Sequence, residues 1–292
     1  MKKKILVTAP LDFLIDLKET IANKFEVHYF YQSTKNEIQE ILINNIFDAW
    51  LVAPCPTYFV DGEMVDLCPS LKIISTPSTG TNHLNVDELL NRKIQIFSLK
   101  GSEVVENIFA SSEFTFNLLI STIRKTPYAF LAVKDGKWRE VEGKYRGREL
   151  NGLTVGIIGF GRIGGNLAKY CLSFGMKVLA YDPYVDISNR DVTQCDSLEV
   201  LLSSADVIAP CVHLDKDTFH MMNKSTFSLM KEGSYFINTS RGDVVNEDDL
   251  IECLKSGKIL AAGVDVISDE YLGDKDIHPL INYMKTNNNL II

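Results

Sequence analysis

Short β-branched runs alternate with apolar stripes at helical spacing from the start of the chain. Residues 5–8 read as a strand, and Leu14, Ile15, Leu17, Ile21 and Phe25 fall on one stripe of a helix. The cycle then repeats. Residues 27–30 form a second strand, Ile38, Ile41 and Leu42 mark a helix, and residues 49–53, 71–75 and 94–97 supply further strands. Strands separated by helices join as crossovers rather than hairpins, which predicts a parallel sheet with helices on both faces. Residues 103–124 form a longer helix-compatible stretch rich in Phe, Leu and Ile, so a first domain is expected over 1–100 and a second over 101–292.

The second series follows a polar stretch at 134–149, where Gly136, Gly143 and Gly147 discourage a long helix. A strand at 154–158 leads into a glycine turn, then a helix with Ile163, Leu167, Tyr170, Cys171 and Phe174 on or near one face, stopping at Gly175. The next strand, 177–181, ends at Asp182. The fold class expected is α/β, with two doubly wound parallel-sheet lobes, the second a Rossmann domain.

Composition sets limits on partners. With 292 residues, 46% of them hydrophobic, the chain can bury two real cores. A net charge of −8, with no basic block beyond Lys2, Lys3 and Lys4, gives no footprint for nucleic acid. The apolar run Ile5-Leu6-Val7 is too brief for a signal peptide or a membrane span, so a soluble, cytoplasmic protein with no membrane partner is expected. Cys55, Cys68, Cys171, Cys195, Cys211 and Cys253 contain no Cys-x-x-Cys pair and no histidine at zinc spacing. They read as reduced, mostly buried thiols, and no metal is expected.

The strongest chemical signal is Gly159-Phe160-Gly161-Arg162-Ile163-Gly164. The first glycine permits the strand-to-helix turn, the second lets a pyrophosphate approach the backbone, and the third lets helix pack on strand. Arg162 and Ile163 then open a helix whose free amides and positive dipole end can hold an anion. Asp182, closing the next strand, can accept hydrogen bonds from the adenosine ribose hydroxyls and repels a 2′-phosphate, favouring NAD over NADP. Glycines used only for close packing, or an S-adenosylmethionine site, are the alternatives.

Further motifs recur in order. Arg146-Gly147-Arg148-Glu149-Leu150-Asn151-Gly152 leads into the glycine loop, and Tyr181-Asp182-Pro183 ends the strand that follows it. Asn238-Thr239-Ser240-Arg241-Gly242-Asp243-Val244-Val245 and Gly263-Val264-Asp265-Val266, the latter followed by Glu270, come next. With Ser78-Thr79-Gly80-Thr81-Asn82-His83 they resemble the D-isomer-specific 2-hydroxyacid dehydrogenase family over nearly the whole chain. The Thr-Gly-Thr-Asn loop is most similar to the phosphoglycerate-dehydrogenase-like branch, and glyoxylate or hydroxypyruvate reductases look alike.

That resemblance implies an oxidoreductase moving a hydride between NAD and a small 2-hydroxy or 2-oxo acid, in a cleft between an acid-binding first lobe and an NAD-binding second. It implies a homodimer formed through the cofactor lobe. Arg241 becomes the substrate arginine, its planar fork suited to a carboxylate and a polarised carbonyl; alone it would read as a surface ion-pair residue. Glu270, in an acidic run otherwise expected in solvent, becomes the catalytic carboxylate that orients a histidine and raises its pKa. Asp265 would lie near the nicotinamide carboxamide, though it could equally cap a turn, and Thr239 joins the cofactor set. The amides of Thr79 and Gly80 are candidates for the substrate carboxylate.

The proton-donating histidine of the family follows a short apolar strand in a Thr-Pro-His motif, whereas this sequence stops at Leu290-Ile291-Ile292. His278, in His278-Pro279-Leu280, matches a different landmark, and His213 stands at a position the family usually fills with proline. A missing C-terminal segment is expected, because termini usually lie at the surface. Loss of a positioned acid–base group would lower turnover by about 10²- to 10⁴-fold. The rival expectation is an NAD(H)-sensing binding protein, like the family's corepressor relatives, with little catalysis.

Overall fold

The computed structural model describes residues 2–31, 33–270 and 277–292. The chain divides into two units, the first running to Asn107 and the second from Ile108 through Glu270 and over 277–292.

In the first unit, strands β1 (Lys4–Val7), β2 (Glu26–Tyr29), β3 (Ala49–Leu51), β4 (Ile73–Ser75) and β5 (Gln95–Phe97) alternate with helices α1 (Ile15–Lys24), α2 (Lys35–Asn44), α3 (Gly62–Asp66) and α4 (Val86–Asn91). All five strands are parallel, in the order β2-β1-β3-β4-β5. One face carries a deep core of Leu6, Ile38, Leu42, Phe47, Trp50 and Ile74, each with no exposed surface. The Trp50 indole Nε1 donates to Thr8 Oγ1 at 3.1 Å, so its polar edge is satisfied inside this core. Helix α2 is set by a capping box in which Thr34 N donates to Glu37 Oε2 (2.7 Å) and Glu37 N donates to Thr34 Oγ1 (3.4 Å). The other face is thin. Among the described residues the hydrophobic cluster there buries Ile5, Val7 and Leu11, and α1 buries none of its residues. The α1 stripe is helical as its spacing predicts, but Ile15 is 65% exposed.

The second unit contains α5 (Ala110–Arg124), α6 (Thr126–Lys134), α7 (Glu142–Tyr145), β6 (Thr154–Ile158), α8 (Arg162–Ser173), β7 (Lys177–Tyr181), β8 (Val192–Gln194), α9 (Leu198–Ser204) and β9 (Val207–Pro210). It continues with α10 (Lys224–Leu229), β10 (Ser234–Asn238), α11 (Glu247–Ser256), β11 (Ile259–Val264), α12 (Pro279–Thr286) and β12 (Leu290–Ile291). Its seven parallel strands run β8-β7-β6-β9-β10-β11-β12, so the order reverses between β6 and β9. Both faces are deeply packed: Leu119, Ile157 and Leu167 on one side, Ile208, Phe227 and Phe236 on the other. These two α/β units agree with the fold class read from the sequence.

The stretch expected as one helix over 103–124 is interrupted. A 3₁₀ turn covers Glu103–Asn107 and α5 starts only at Ala110. Arg162 Nη1 donates to the carbonyl of Ile108, an acceptor that a continuous helix would use itself. The cysteines are all thiols, but only Cys68, Cys171 and Cys195 are buried, and Cys55 is exposed. Burial pushes the Cys171 thiol up to about 12, which keeps it protonated and inert.

Candidate cofactor and substrate site

The glycine turn sits at the end of β6, where the strand order of the second unit reverses. Gly159 adopts φ +88°, and a Cβ there would stand 2.7 Å from the carbonyl oxygen of Cys211. Gly164 is equally constrained, since a Cβ would meet the Gly159 carbonyl oxygen at 2.2 Å. Gly161 differs. No protein atom lies within 4 Å of where its Cβ would be, and it caps α8 without a side-chain hydrogen bond. Two glycines are thus required by the protein, while the middle one faces open space beside an uncapped helix start, which is the cradle a pyrophosphate needs.

Asp182 braces this turn. Its Oδ2 accepts from Phe160 N at 2.8 Å and its Oδ1 from Tyr184 N at 2.9 Å, while Gly159 N donates to Tyr181 O at 2.8 Å. Each carboxylate oxygen keeps a further acceptor site, so both can still receive ribose hydroxyls. Arg162 spends a guanidinium donor on Ile108, and Ile163 is half-buried behind the turn.

Arg241 follows β10 and is positioned by Asn238, a residue the sequence motif contains but does not single out. Asn238 is 1% exposed; its Nδ2 donates to Arg241 O (2.9 Å), and its Oδ1 accepts from Ser240 N (3.0 Å) and Ser240 Oγ (2.7 Å). Its carbonyl accepts from Asp265 N at 2.9 Å, which ties the end of β11 to the Arg241 turn. Thr239 is held from α5, where Thr115 Oγ1 lies 2.6 Å from Thr239 Oγ1 and donates to Ser111 O at 2.7 Å. No sequence signal pairs residues so far apart.

Acidic groups cluster around this turn. Partial burial, and then the neighbouring Glu270, push the Asp265 carboxyl above the usual carboxylate range. Burial, and then Asp269, do the same to Asp243. Among the described residues no group of three or more His, Cys, Asp or Glu side chains is arranged to hold a metal ion. His278 is paired with Glu247 and His220 stacks on Phe219, with ring centroids 4.0 Å apart.

Thr79 and Gly80 lie in the first unit, in the loop after β4, both half-buried. The loop is shaped from within: Ser78 Oγ donates to Gly80 O (2.6 Å) and lies 3.1 Å from Thr76 Oγ1, which is 3.1 Å from Nε2 of the buried His83.

A parallel sheet whose order reverses at a glycine turn, with an acid closing the next strand, defines a dinucleotide-binding α/β protein. Residues 5–115 match the model described as D-isomer specific 2-hydroxyacid dehydrogenase, catalytic domain, and residues 116–292 match its NAD binding domain. The chain belongs to this family, and NAD is its cofactor. A glyoxylate reductase from Thermofilum pendens is 35% identical over 253 residues, covering 84% of this chain and 72% of the relative. A D-3-phosphoglycerate dehydrogenase from Archaeoglobus fulgidus is 35% identical over 213 residues, 72% of this chain and 39% of the longer protein. The crystal structure of D-lactate dehydrogenase from Aquifex aeolicus, complexed with NAD and lactic acid, aligns with a TM-score of 0.79 at 28% identity, covering 99% of this chain and 87% of that one. No helix among the described residues is long and apolar enough to cross a membrane.

Proposed function

We propose that the protein interconverts a small D-2-hydroxy acid and its 2-oxo acid, with Arg241 and Glu270 as the groups that act on the substrate. The observation that carries this is the braced Arg241 turn, which Asn238 holds in hydrogen-bonded register with Asp265 in the unit that contains the dinucleotide turn. NAD, when bound, supplies or accepts the hydride. Asp182 takes the adenosine ribose, the amides opening α8 take the pyrophosphate, and Thr239 and Asp265 face the nicotinamide end. The guanidinium of Arg241 binds the substrate carboxylate and polarises the C2 carbonyl, stabilising the alkoxide charge that develops there. In the first unit, the amides of Thr79 and Gly80 are the donors suited to a carboxylate. Glu270 orients a protonated imidazole for proton transfer to that alkoxide.

Nε2 of His83 lies 3.1 Å from Thr76 Oγ1 and Nε2 of His278 lies 3.2 Å from Glu247 Oε2, so neither of these contacts presents an imidazole to Glu270. We expect that where no imidazole stands beside Glu270 turnover falls by about 10²- to 10⁴-fold, so residues 1–292 are to be compared with a longer chain that adds such a histidine. The test is a panel of 2-oxo acids, beginning with glyoxylate and hydroxypyruvate, incubated with NADH and followed at the nicotinamide absorbance band for both lengths. Equal rates would remove the need for an added histidine. NADH binding with no turnover by either would leave a sensor rather than a dehydrogenase.

We also propose a cytoplasmic homodimer. Phe130, Leu131, Val133 and Trp138 are 63%, 53%, 49% and 64% exposed on and beside α6, an apolar surface suited to a second copy. Six thiols without a disulfide suit a reducing compartment. A monomeric mass by light scattering, or recovery outside the cytoplasmic fraction, would reject the respective half.

A further inference from the structure

Glu247 is the first residue of α11, where a carboxylate normally faces solvent and the helix dipole. Here its side chain is only 9% exposed. Oε1 accepts from Ser268 N at 2.7 Å, while Oε2 accepts from Ser268 Oγ at 2.8 Å and lies 3.2 Å from Nε2 of His278, itself 9% exposed. The His278 Nδ1 is buried without a hydrogen-bond partner among the described residues, so that ring is oriented through its Nε2 contact with Glu247. Burial pushes the Glu247 carboxyl above its ordinary range, against the opposing pull of Ser268 and His278. A buried pair of this kind is a poor source of stability compared with apolar packing, which makes geometry the better explanation for it.

The two partners of Glu247 flank Glu270 in the chain. Ser268 comes two residues before it, and His278 follows it at the start of α12. The same backbone also packs closely on the Arg241 turn, since a Cβ on Gly242 would stand 2.0 Å from the Ile267 carbonyl carbon and 2.2 Å from Ser268 N. The backbone leading to Glu270 is therefore held both by close packing on Gly242 and by hydrogen bonds to the Glu247 carboxylate.

We propose that Glu247 is a positioning residue, which, through Ser268 and His278, holds the backbone that carries Glu270 in register with the Arg241 turn and thereby sets the rate of the chemical step. This role presupposes the dehydrogenase function proposed for the site. Against the wild-type protein, Glu247→Ala should lower kcat by about 10- to 100-fold, the scale on which misplacement of about 1 Å acts. KM for NADH should stay within about 3-fold, because the glycine turn and Asp182 are braced independently. Glu247→Gln, which keeps the shape and hydrogen-bonding capacity, should restore most of kcat. Amide hydrogen exchange over residues 266–270 should quicken in the alanine variant and return towards wild type in the glutamine variant. Should Glu247→Ala fail to fold, Ser268→Ala removes one arm of the network and should show a smaller loss of kcat in the same direction. A wild-type kcat in an alanine variant, or unchanged exchange over 266–270, overturns the proposal. If the wild-type chain reduces no 2-oxo acid, the dehydrogenase function falls, and the exchange comparison still decides whether Glu247 fixes this segment.

Discussion

The two units share a parallel α/β plan and differ at the same topological place, the turn after the first strand beside the point where strand order reverses. In the first unit β1 runs into Thr8, Ala9, Pro10 and Leu11, and the backbone donors are consumed internally. Thr8 N and Ala9 N donate to Leu51 O at 2.9 and 3.3 Å, Leu11 N donates to Tyr29 Oη at 2.8 Å, and Pro10 has no N–H. In the second unit β6 runs into Gly159 and Gly161; Gly159 N and Phe160 N are spent on Tyr181 O and Asp182 Oδ2, but α8 opens without a side-chain cap and open space lies at Gly161. A reversal of strand order is thus only an opportunity for a ligand. Donors left unspent by the protein, and a residue small enough to expose them, turn it into a dinucleotide site.

The units differ in packing as well, and the largest expected effects test that difference. In the second unit, Ile157→Ala and Ile208→Ala truncate opposite faces of one sheet, and each should cost about 2–5 kcal/mol by denaturant unfolding. In the first unit, Ile74→Ala on the deep face should fall in the same range of about 2–5 kcal/mol, whereas Ile21→Ala on the α1 face should cost less than about 1 kcal/mol. An Ile21→Ala variant as damaging as Ile74→Ala would break the contrast between the faces.

A smaller pair of effects sharpens the contrast at the turns. Gly164→Ala forces a methyl against the Gly159 carbonyl and should cost about 1–3 kcal/mol in thermal unfolding. Gly161→Ala meets no protein atom and should change stability by no more than about 0.5 kcal/mol, yet weaken NADH at least about tenfold in a fluorescence titration. An unchanged NADH affinity would show that the space beside Gly161 is not the pyrophosphate cradle.

The same contrast marks what could be read in the sequence. Strands 154–158 and 177–181 stand where the pattern places them, because β-branched runs bounded by glycine and an acid are local signals. The glycine turn was legible for the same reason. The stripe of Leu14, Ile15, Leu17, Ile21 and Phe25 correctly predicts a helix, but an apolar stripe identifies a face without saying that anything covers it. The pattern does not announce helix α6, because α5 is capped by Lys125 in a left-handed conformation, φ +54°, where a glycine or asparagine would mark the turn. Pro127, in the first turn of α6, was the available cue. Asn238 was visible only as part of a motif, since its role lies in three hydrogen bonds made after the chain has turned. Glu247 carries no sequence signal at all, for a glutamate at a helix start is ordinarily a surface residue, and its burial depends on Ser268 and His278 arriving from elsewhere in the chain.

Asp182 has a consequence for redesign of the enzyme. The carboxylate proposed to face the ribose is also the acceptor for Phe160 N and Tyr184 N, so in that reading selectivity and loop architecture are vested in one side chain. Exchanging it for a neutral or basic residue would admit the larger cofactor and, in the same stroke, unlatch the turn that must receive it. A change of coenzyme in this scaffold therefore calls for at least two coordinated substitutions, one to welcome the extra phosphate and one to restore the lost latch.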